Sequence, residues 1–247
     1  MKYAVCTSFS RQGYRIYGKR FIETFLEHWP DDVQLYVVHE GADPTFPDSP
    51  RVIYRDLVLD RECREFAEKA AKRDPRATSK HFKWGAIKWS KKVFALAGVK
   101  TEAEWLIWID ADVETTAPIT CDWLAKVLPD DKALAFLGRP TWRYSECGFV
   151  GYHLTHDPRV PELLQQMRRT YTSLHVFDLA EWGDSYVFDH CRRKLFGAKE
   201  DYYNDLSVRP NGSRAGILHV WPTSQLGGRM EHYKGPKRKT VGYGATC

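Results

Sequence analysis

The amino-acid sequence predicts an α/β protein with a mixed, mostly parallel sheet flanked by helices, and two patterns support this prediction. Near the start, apolar strand-like segments at residues 3–8 and 33–38 enclose a helix-like segment at 13–29. A strand, a helix and a second strand in this order indicate a right-handed βαβ unit with parallel strands. Further along, residues 105–109 form a continuous apolar run, which is typical of a central strand covered on both faces.

Helix-like and strand-like segments continue to alternate along the rest of the chain. Residues 41–50 are rich in proline, glycine and aspartate and are predicted to form a loop. Helices are predicted near residues 60–73, 82–97, 122–128, 161–173 and 182–195. Strands are predicted at residues 133–137, 148–152 and 216–220. Because no repeat or low-complexity linker interrupts the sequence, we predict one domain over residues 1–247.

The composition is that of a folded protein, with 43% hydrophobic and 28% charged residues. No apolar stretch is long enough for a membrane helix, and the first residues lack the basic-then-apolar pattern of an export signal. We therefore expect a cytoplasmic protein without a membrane span. Its six cysteines form no Cys-x-x-Cys pair, so we expect reduced thiols. The net charge of +5 suits a phosphate-bearing substrate or a polyanionic partner.

The most informative feature is a pair of acids directly after the strongest predicted strand. Asp110 and Asp112 stand one residue apart where strand 105–109 ends, and ligands of open α/β sheets bind at the carboxyl ends of strands. Because an unpaired buried carboxylate is costly, a compensating cation is expected. Mn²⁺ or Mg²⁺ fits, since both accept oxygen ligands and hold substrate phosphates. The competing interpretation is that one aspartate caps the next turn and the other pairs with a lysine.

This strand end resembles the Asp-x-Asp motif of the GT-A glycosyltransferases. The resemblance implies a GT-A (Rossmann-like) fold and a nucleotide-diphosphate sugar donor, most commonly a UDP-sugar, whose diphosphate a metal ion bridges to the protein. Asp112 would bind the metal, and Asp110 would bind the metal or the ribose and sugar hydroxyls of the donor. The resemblance also implies a nucleotide-sugar-binding half at residues 1–112 and an acceptor half at 113–227, with a basic tail at 228–247 that closes on the donor.

A second motif lies in the tail, where His232, Gly235 and Lys237 follow one another closely. It is similar to the C-terminal His-x-x-Gly-x-x-Lys element of the glycogenin-like and galactosyltransferase-like branch of the family, which acts with retention of configuration. The resemblance implies that His232 completes the metal site and that Gly235 and Lys237 contact the diphosphate. In this chain the lysine follows the glycine by two residues instead of three. Taken alone, the tail is equally consistent with a solvated basic terminus.

Further donor-binding candidates come from the same resemblance. GT-A enzymes often place a cation from the helix before the Asp-x-Asp strand near the diphosphate, and Lys88 or Lys91 would serve. Lys88 and Lys92 share one face of that helix, so solvent or an anion is expected between them. Thr7 and Ser8 end the first strand, where the family holds the uridine and ribose. The alternatives are a solvated helix face for the lysines and loop capping for the hydroxyl groups.

Two later acids are the candidate catalytic residues. Glu146 precedes the strand at 148–152, and Asp184 opens the helix at 182–195; residues of these regions line the acceptor and sugar pocket in the family. An inverting enzyme needs a carboxylate to deprotonate the acceptor hydroxyl. A retaining enzyme relies mainly on the leaving diphosphate, stabilised by the metal and by cations. Asp184 is equally consistent with a helix cap.

Together these features predict a metal-dependent glycosyltransferase of the retaining type that transfers a hexose from a nucleotide-diphosphate sugar to a hydroxyl acceptor. The acceptor is either a cell-surface or lipid-linked glycan or a modified DNA base, as in bacteriophage base-modifying glucosyltransferases. The net charge, the basic tail and the abundant aromatic residues slightly favour the polyanion. The alternative from a different class is a catalytically inactive GT-A-like module that binds nucleic acid or acts as a scaffold.

Overall fold

The structure is a computed structural model, and it describes residues 1–43, 45–81, 83–139, 144–197, 200–209, 211–213 and 220–234. Its strands are β1 (Tyr3–Ser10), β2 (Gln34–Glu40), β3 (Val52–Asp56), β4 (Trp105–Ile109), β5 (Val113–Thr115), β6 (Leu134–Leu137), β7 (Glu146–His153), β8 (Tyr203–Asp205) and β9 (Met230–His232). Its α-helices are α1 (Arg11–Gly13), α2 (Lys19–His28), α3 (Arg61–Arg73), α4 (Ala86–Ala97), α5 (Cys121–Val127), α6 (Arg159–Thr172) and α7 (Asp184–Phe196). A π-helical turn, Tyr14–Gly18, joins α1 to α2.

A seven-stranded sheet, in the order β3-β2-β1-β4-β7-β6-β8, lies at the centre of the fold. The pairings β1 with β2, β1 with β4, β2 with β3 and β6 with β8 are parallel. Strand β7 runs antiparallel to both of its neighbours, β4 and β6. The prediction of an α/β protein with a mixed, mostly parallel sheet is therefore confirmed.

Helices cover both faces of this sheet because its inner strands are apolar on both sides. In β1, the side chains of Ala4 and Cys6 belong to one core cluster, and those of Tyr3 and Val5 belong to the other. This alternation follows from the period of two along a strand. Helices α3, α4, α6 and α7 contribute to the first cluster, and α2 and α5 contribute to the second. All five residues of β4 are buried, as its continuous apolar run predicts.

Two predicted helices begin later in the structure than the sequence pattern indicates. Helix α4 begins at Ala86 rather than at residue 82, because the backbone of Gly85 is held in a turn by a hydrogen bond to the His81 carbonyl (3.1 Å). Helix α7 begins at Asp184 rather than at residue 182. There the backbone nitrogen of Trp182 donates instead to the Lys83 carbonyl (2.7 Å), which ties the two helix starts together.

The sequence pattern missed four strands: β3, at the edge of the sheet, and the short strands β5, β8 and β9. The last three have three residues each, which is too short for a period of two to stand out. The strand predicted at 216–220 lies almost entirely outside the described residues. Among the described residues, no helix combines the length and the apolar character needed to cross a bilayer. The cysteines that the structure describes are free thiols.

Strands β5 and β9 form a separate antiparallel ribbon beside the main sheet. Val113 lies opposite His232, and Thr115 lies opposite Met230. The backbone nitrogen of Tyr233 extends the ribbon by donating to the Asp112 carbonyl (2.9 Å). The ribbon therefore fixes a late segment of the chain against the residues that directly follow β4.

Candidate active site

A tight turn at the carboxyl end of β4 positions the two aspartates. The backbone nitrogen of Val113 donates to the Asp110 carbonyl (3.0 Å), and that of Asp110 donates to the Gly148 carbonyl (2.8 Å). The turn places the side chains of Asp110 and Asp112 close to each other at the edge of the sheet where the parallel strands β1, β2 and β4 end. This is the edge at which open α/β sheets bind ligands.

His232 is brought to the same place by the β5–β9 ribbon. Its Nε2 lies 3.1 Å from Oδ1 of Asp112 and 3.9 Å from Oδ2 of Asp110. The imidazole is almost fully buried, and the Trp221 ring packs edge-on against it with 4.9 Å between the ring centroids. The indole nitrogen of Trp221 donates to the Met230 carbonyl (3.0 Å), so this tryptophan also holds strand β9.

The three side chains form a donor set that fits a hard divalent cation. One ligand atom from each of Asp110, Asp112 and His232 lies within 4.8 Å of the other two. Two carboxylate oxygens and one imidazole nitrogen suit Mn²⁺ or Mg²⁺. Nδ1 of His232 is buried and makes no hydrogen bond, so the ring presents Nε2 to the carboxylates. The residues present therefore fit the metal that the sequence predicts.

Gly148 makes the close approach of His232 possible. A Cβ atom at this position would lie 2.8 Å from Cε1 and 3.0 Å from Nδ1 of His232, and 3.0 Å from the Trp221 ring. Distances this short are incompatible with the present position of the imidazole. The absence of a side chain at Gly148 is therefore part of the candidate metal site.

We expect Gly148→Ala to weaken Mn²⁺ binding by about 10- to 100-fold, the range typical of changes that misplace a metal ligand. Isothermal titration with MnCl₂ measures this effect. A useful contrast is Gly151→Ala on the same strand, whose Cβ would instead meet Leu128 and Trp105 in the core. Gly151→Ala should lower thermal stability and leave the Mn²⁺ affinity of the folded protein unchanged. Equal Mn²⁺ affinities for wild type and Gly148→Ala would contradict the expected role of Gly148.

Lys92 is the cation that neutralises the centre of the site. Its Nζ lies 3.0 Å from Asp110 and 3.0 Å from Asp184, and it also donates to the Cys147 carbonyl. Burial alone would lower the pKa of Lys92, but Asp110 and Asp184 raise it above its usual value. Burial favours the neutral form of Asp110 as well, yet Lys92 and His232 hold the pKa of that carboxyl below its usual range. Lys92 and Asp110 are therefore both charged at neutral pH.

Of the predicted lysines, Lys88 and Lys91 line the cavity but neither occupies this central position. Lys88 places its Nζ over the Trp89 ring, 4.1 Å from the centroid. Lys91 pairs with Glu40 at the end of β2. Lys92 shares a helix face with Lys88 but was not among the predicted site residues. The rotation of α4 decides which lysine meets the aspartates.

The two candidate catalytic acids line the same cavity, close to the candidate metal ligands. Asp184 is the first residue of α7, and the N-cap position belongs to Gly183. Burial raises the pKa of Asp184, although Lys92 opposes this shift. Glu146 begins β7 and pairs with Lys234 and with Arg139. Burial would raise the pKa of Glu146, but these two cations lower it.

Thr7 and Ser8 point in opposite directions, and they do not end the first strand as predicted, because β1 continues to Ser10. Ser8 lines the cavity. Thr7 is fully buried on the other side of the strand, its Oγ1 makes no hydrogen bond, and it does not contact the cavity. Gly235 and Lys237 lie outside the described residues.

These side chains surround one cavity of about 710 Å³. It brings together most of the site residues that the sequence predicted, namely Ser8, Lys88, Lys91, Asp110, Asp112, Glu146, Asp184 and His232. It also contains Glu40, Lys92, Arg139, Glu181 and Lys234, which the sequence analysis did not select. These five residues follow no motif, and only the assembled fold shows that they meet.

Comparison with solved structures identifies the fold. The chain resembles the bifunctional glycosyltransferase WbbM (apo structure) with a TM-score of 0.54 and 12% sequence identity, covering 95% of this chain and 46% of that one. The chain has a glycosyltransferase fold. Because the match covers 46% of WbbM, this chain spans about half the length of that protein. Mouse xyloside xylosyltransferase 1 (apo form) is similar with a TM-score of 0.49 and 12% identity, covering 84% of this chain and 86% of that one.

At the level of sequence alone, the chain matches neither a protein-family model nor a curated protein.

Proposed function

We propose that the protein is a metal-dependent glycosyltransferase of GT-A type that transfers a hexose from a nucleotide-diphosphate sugar to a hydroxyl acceptor. The observation that carries this proposal is the convergence of Asp110, Asp112 and His232 at the carboxyl edge of the sheet in a glycosyltransferase fold. These three residues would hold Mn²⁺ or Mg²⁺. The ion, when bound, would offset the negative charge of the leaving diphosphate.

The cavity has room for such a donor. Its volume of about 710 Å³ lies within the range of roughly 300–1,000 Å³ that is usual for small-molecule sites. Our candidates for the nucleotide and diphosphate contacts are three residues that line this cavity: Ser8 on β1, and Lys88 and Lys91 on α4. The family resemblance favours a UDP-sugar, and it assigns further diphosphate contacts to Gly235 and Lys237.

The ion pairs around the site suggest how the remaining residues act. Lys92 fixes the carboxylate of Asp184, which can then accept hydrogen bonds from the hydroxyl groups of the transferred sugar. Glu146 holds Lys234 of the tail at the cavity. Because Asp184 and Glu146 are both ion-paired, neither is positioned as a strong base. This arrangement supports a retaining transfer, in which the leaving diphosphate, instead of a carboxylate, acts as the base toward the acceptor hydroxyl.

The acceptor in this proposal is a glycan or lipid-linked sugar, or a modified DNA base. Both present a hydroxyl group that can enter the cavity from the side of Glu146 and Asp184. The chemistry of the cavity wall decides which of the two classes can bind.

A thermal-shift screen of nucleotide sugars, with and without Mn²⁺, tests the proposed function. A ligand present at 100 times its Kd stabilises the folded state by about 2.7 kcal/mol. For a chain of this size that corresponds to a rise in Tm of roughly 5–10 °C. We expect this rise with a UDP-sugar plus Mn²⁺ and its loss when EDTA replaces the metal. Slow Mn²⁺-dependent hydrolysis of the same nucleotide sugar should accompany it.

Absence of any Mn²⁺-dependent shift or hydrolysis across UDP-, GDP-, CDP- and dTDP-sugars would contradict the proposal. It would favour the catalytically inactive module, particularly if the protein still bound DNA.

A further inference from the structure

One carboxylate on the cavity wall belongs neither to the candidate metal site nor to the ion pairs around Lys92 and Glu146. Glu181 lines the cavity just before α7, and its side chain is only 6% exposed. It pairs with Lys83, with 3.3 Å between Nζ and Oε1. An ionised carboxylate offers about four acceptor positions, so this ion pair leaves room for further donors.

The backbone around Glu181 is held rigidly. The nitrogen of Trp182 donates to the Lys83 carbonyl (2.7 Å), and the carbonyl of Trp182 accepts from the Tyr171 hydroxyl (2.9 Å). The Trp182 indole is buried in the core between the rings of Trp84 and Phe177. This tryptophan therefore packs in the core. Its burial fixes the position of the preceding carboxylate.

Tyrosine side chains stand beside Glu181 on the same wall. The Tyr144 hydroxyl is hydrogen-bonded to Glu181, and both burial and this carboxylate raise the pKa of the phenol above its usual value. The phenol is therefore protonated at neutral pH and acts as a donor. The Tyr144 ring meets Tyr186 edge-to-face, with 6.3 Å between centroids, and both rings line the cavity. A fixed carboxylate beside aromatic rings suits a ligand that has hydroxyl groups and an apolar face.

The charges of the described cavity wall nearly balance, which is compatible with a neutral ligand. Among the described lining residues, the acids are Glu40, Asp110, Asp112, Glu146, Glu181 and Asp184. The lining lysines and arginine in the same described part are Lys88, Lys91, Lys92, Arg139 and Lys234. Six carboxylates thus face five cations. A wall whose charges nearly balance gives a polyanion little net attraction, and sugar hydroxyls entering beside Glu181 would find acceptors.

We propose that Glu181 and Tyr144 bind the acceptor, and that this acceptor is a neutral sugar presenting adjacent hydroxyl groups. This inference rests on the proposed glycosyltransferase function and names its acceptor class. Glu181 accepts hydrogen bonds from two neighbouring hydroxyls, and the Tyr144 and Tyr186 rings contact the apolar face of the sugar. The carboxylate orients the acceptor, and it takes no part in breaking the donor bond.

Saturation-transfer NMR tests this inference with methyl glycosides of glucose, galactose, mannose and xylose, in the presence of UDP and Mn²⁺. The wild type should bind at least one glycoside, and Glu181→Gln should weaken that binding by about tenfold or more, since hydrogen bonds to charged groups are strong. Tyr144→Ala, which removes the ring that contacts the sugar, is a second variant and should weaken the same binding. The matched control is Glu62→Gln, which breaks an ion pair with Arg168 outside the cavity.

If Glu181 had only a structural role, the expected results would differ. In that case Glu181→Gln and Lys83→Met would lower thermal stability equally, and the folded variants would bind the glycoside as the wild type does. That result would overturn the inference. So would binding of an oligonucleotide containing 5-hydroxymethylcytosine by a protein that binds no glycoside. UDP and Mn²⁺ binding, measured in the same samples, separates these outcomes from failure of the proposed function, in which the nucleotide itself would not bind.

Discussion

Replacing Asp112 by asparagine should reduce Mn²⁺ affinity by about 100-fold or more. Even mutating a residue that only hydrogen-bonds to a metal ligand typically reduces metal affinity by about 10- to 100-fold. Asp112 lies nearest to His232 in the donor set, and its side chain is 7% exposed. The amide has the same shape as the carboxylate but lacks the charge that a divalent ion requires. Isothermal titration with MnCl₂ in the presence of UDP measures the affinity, and Mn²⁺-dependent hydrolysis of the nucleotide sugar should fall in parallel.

Asp157→Asn is the control for this experiment. Asp157 is also a partly buried aspartate, but it pairs with Arg159 and does not line the cavity. We expect this variant to bind Mn²⁺ as the wild type does. If Asp112→Asn retained wild-type affinity, the three residues would not form the metal site.

The second large effect concerns stability. Lys92→Met leaves the buried carboxylate of Asp184 and the partly exposed carboxylate of Asp110 without their shared cation. Removing one partner of a buried ion pair typically costs 3–5 kcal/mol, so we expect the free energy of unfolding to fall by about that amount. Urea denaturation at pH 8 with EDTA present measures it, since EDTA prevents a metal ion from replacing the lysine charge.

The pH dependence of this loss identifies its cause. Burial already raises the pKa of Asp184, and loss of Lys92 raises it further above the unfolded value of about 3.9. An acid whose pKa is higher in the folded state takes up its proton more readily there, so lowering the pH stabilises the folded variant. The deficit should therefore be largest at pH 8 and shrink as the pH falls toward 5.

Lys91→Met and a double variant complete this test. Lys91 is adjacent on α4, but it and its partner Glu40 are 35% and 27% exposed, so its loss should cost no more than about 1 kcal/mol. The double variant Lys92→Met/Asp184→Asn removes one of the two carboxylate charges that Lys92 neutralises. It should therefore recover part of the free energy of unfolding that Lys92→Met alone loses. Equal losses for Lys91→Met and Lys92→Met would show that the central ion pairs do not stabilise the fold.

The parts of the site that the sequence could predict are those encoded by neighbouring residues. Asp110 and Asp112 directly follow an apolar run, so the predicted strand places them where its carboxyl end reaches the edge of the sheet. Ser8 was predicted from the same argument, and it lines the cavity although β1 continues to Ser10. Thr7 does not, because the alternation along a strand turns it into the core. A motif assigned to adjacent residues cannot tell which of them faces the ligand.

His232 illustrates the limit for distant residues. It lies 120 residues after Asp112, and strand β9 is too short to be recognised from its pattern. Only the family resemblance pointed to it. Lys92 and Glu181 were missed for a related reason, since the rotation of α4 and the buried Trp182 orient them, and neither is visible in a linear pattern.

Metal binding at the candidate site would also report whether the β5–β9 ribbon has formed. Because one ligand arrives on the segment 220–234 and two arrive on the turn after β4, the complete trio exists only when that late segment has docked. A chain folded up to β7 would hold two aspartates and a lysine, with no imidazole between them. Tight Mn²⁺ uptake during refolding would thus mark the moment at which the last described strand joins the molecule.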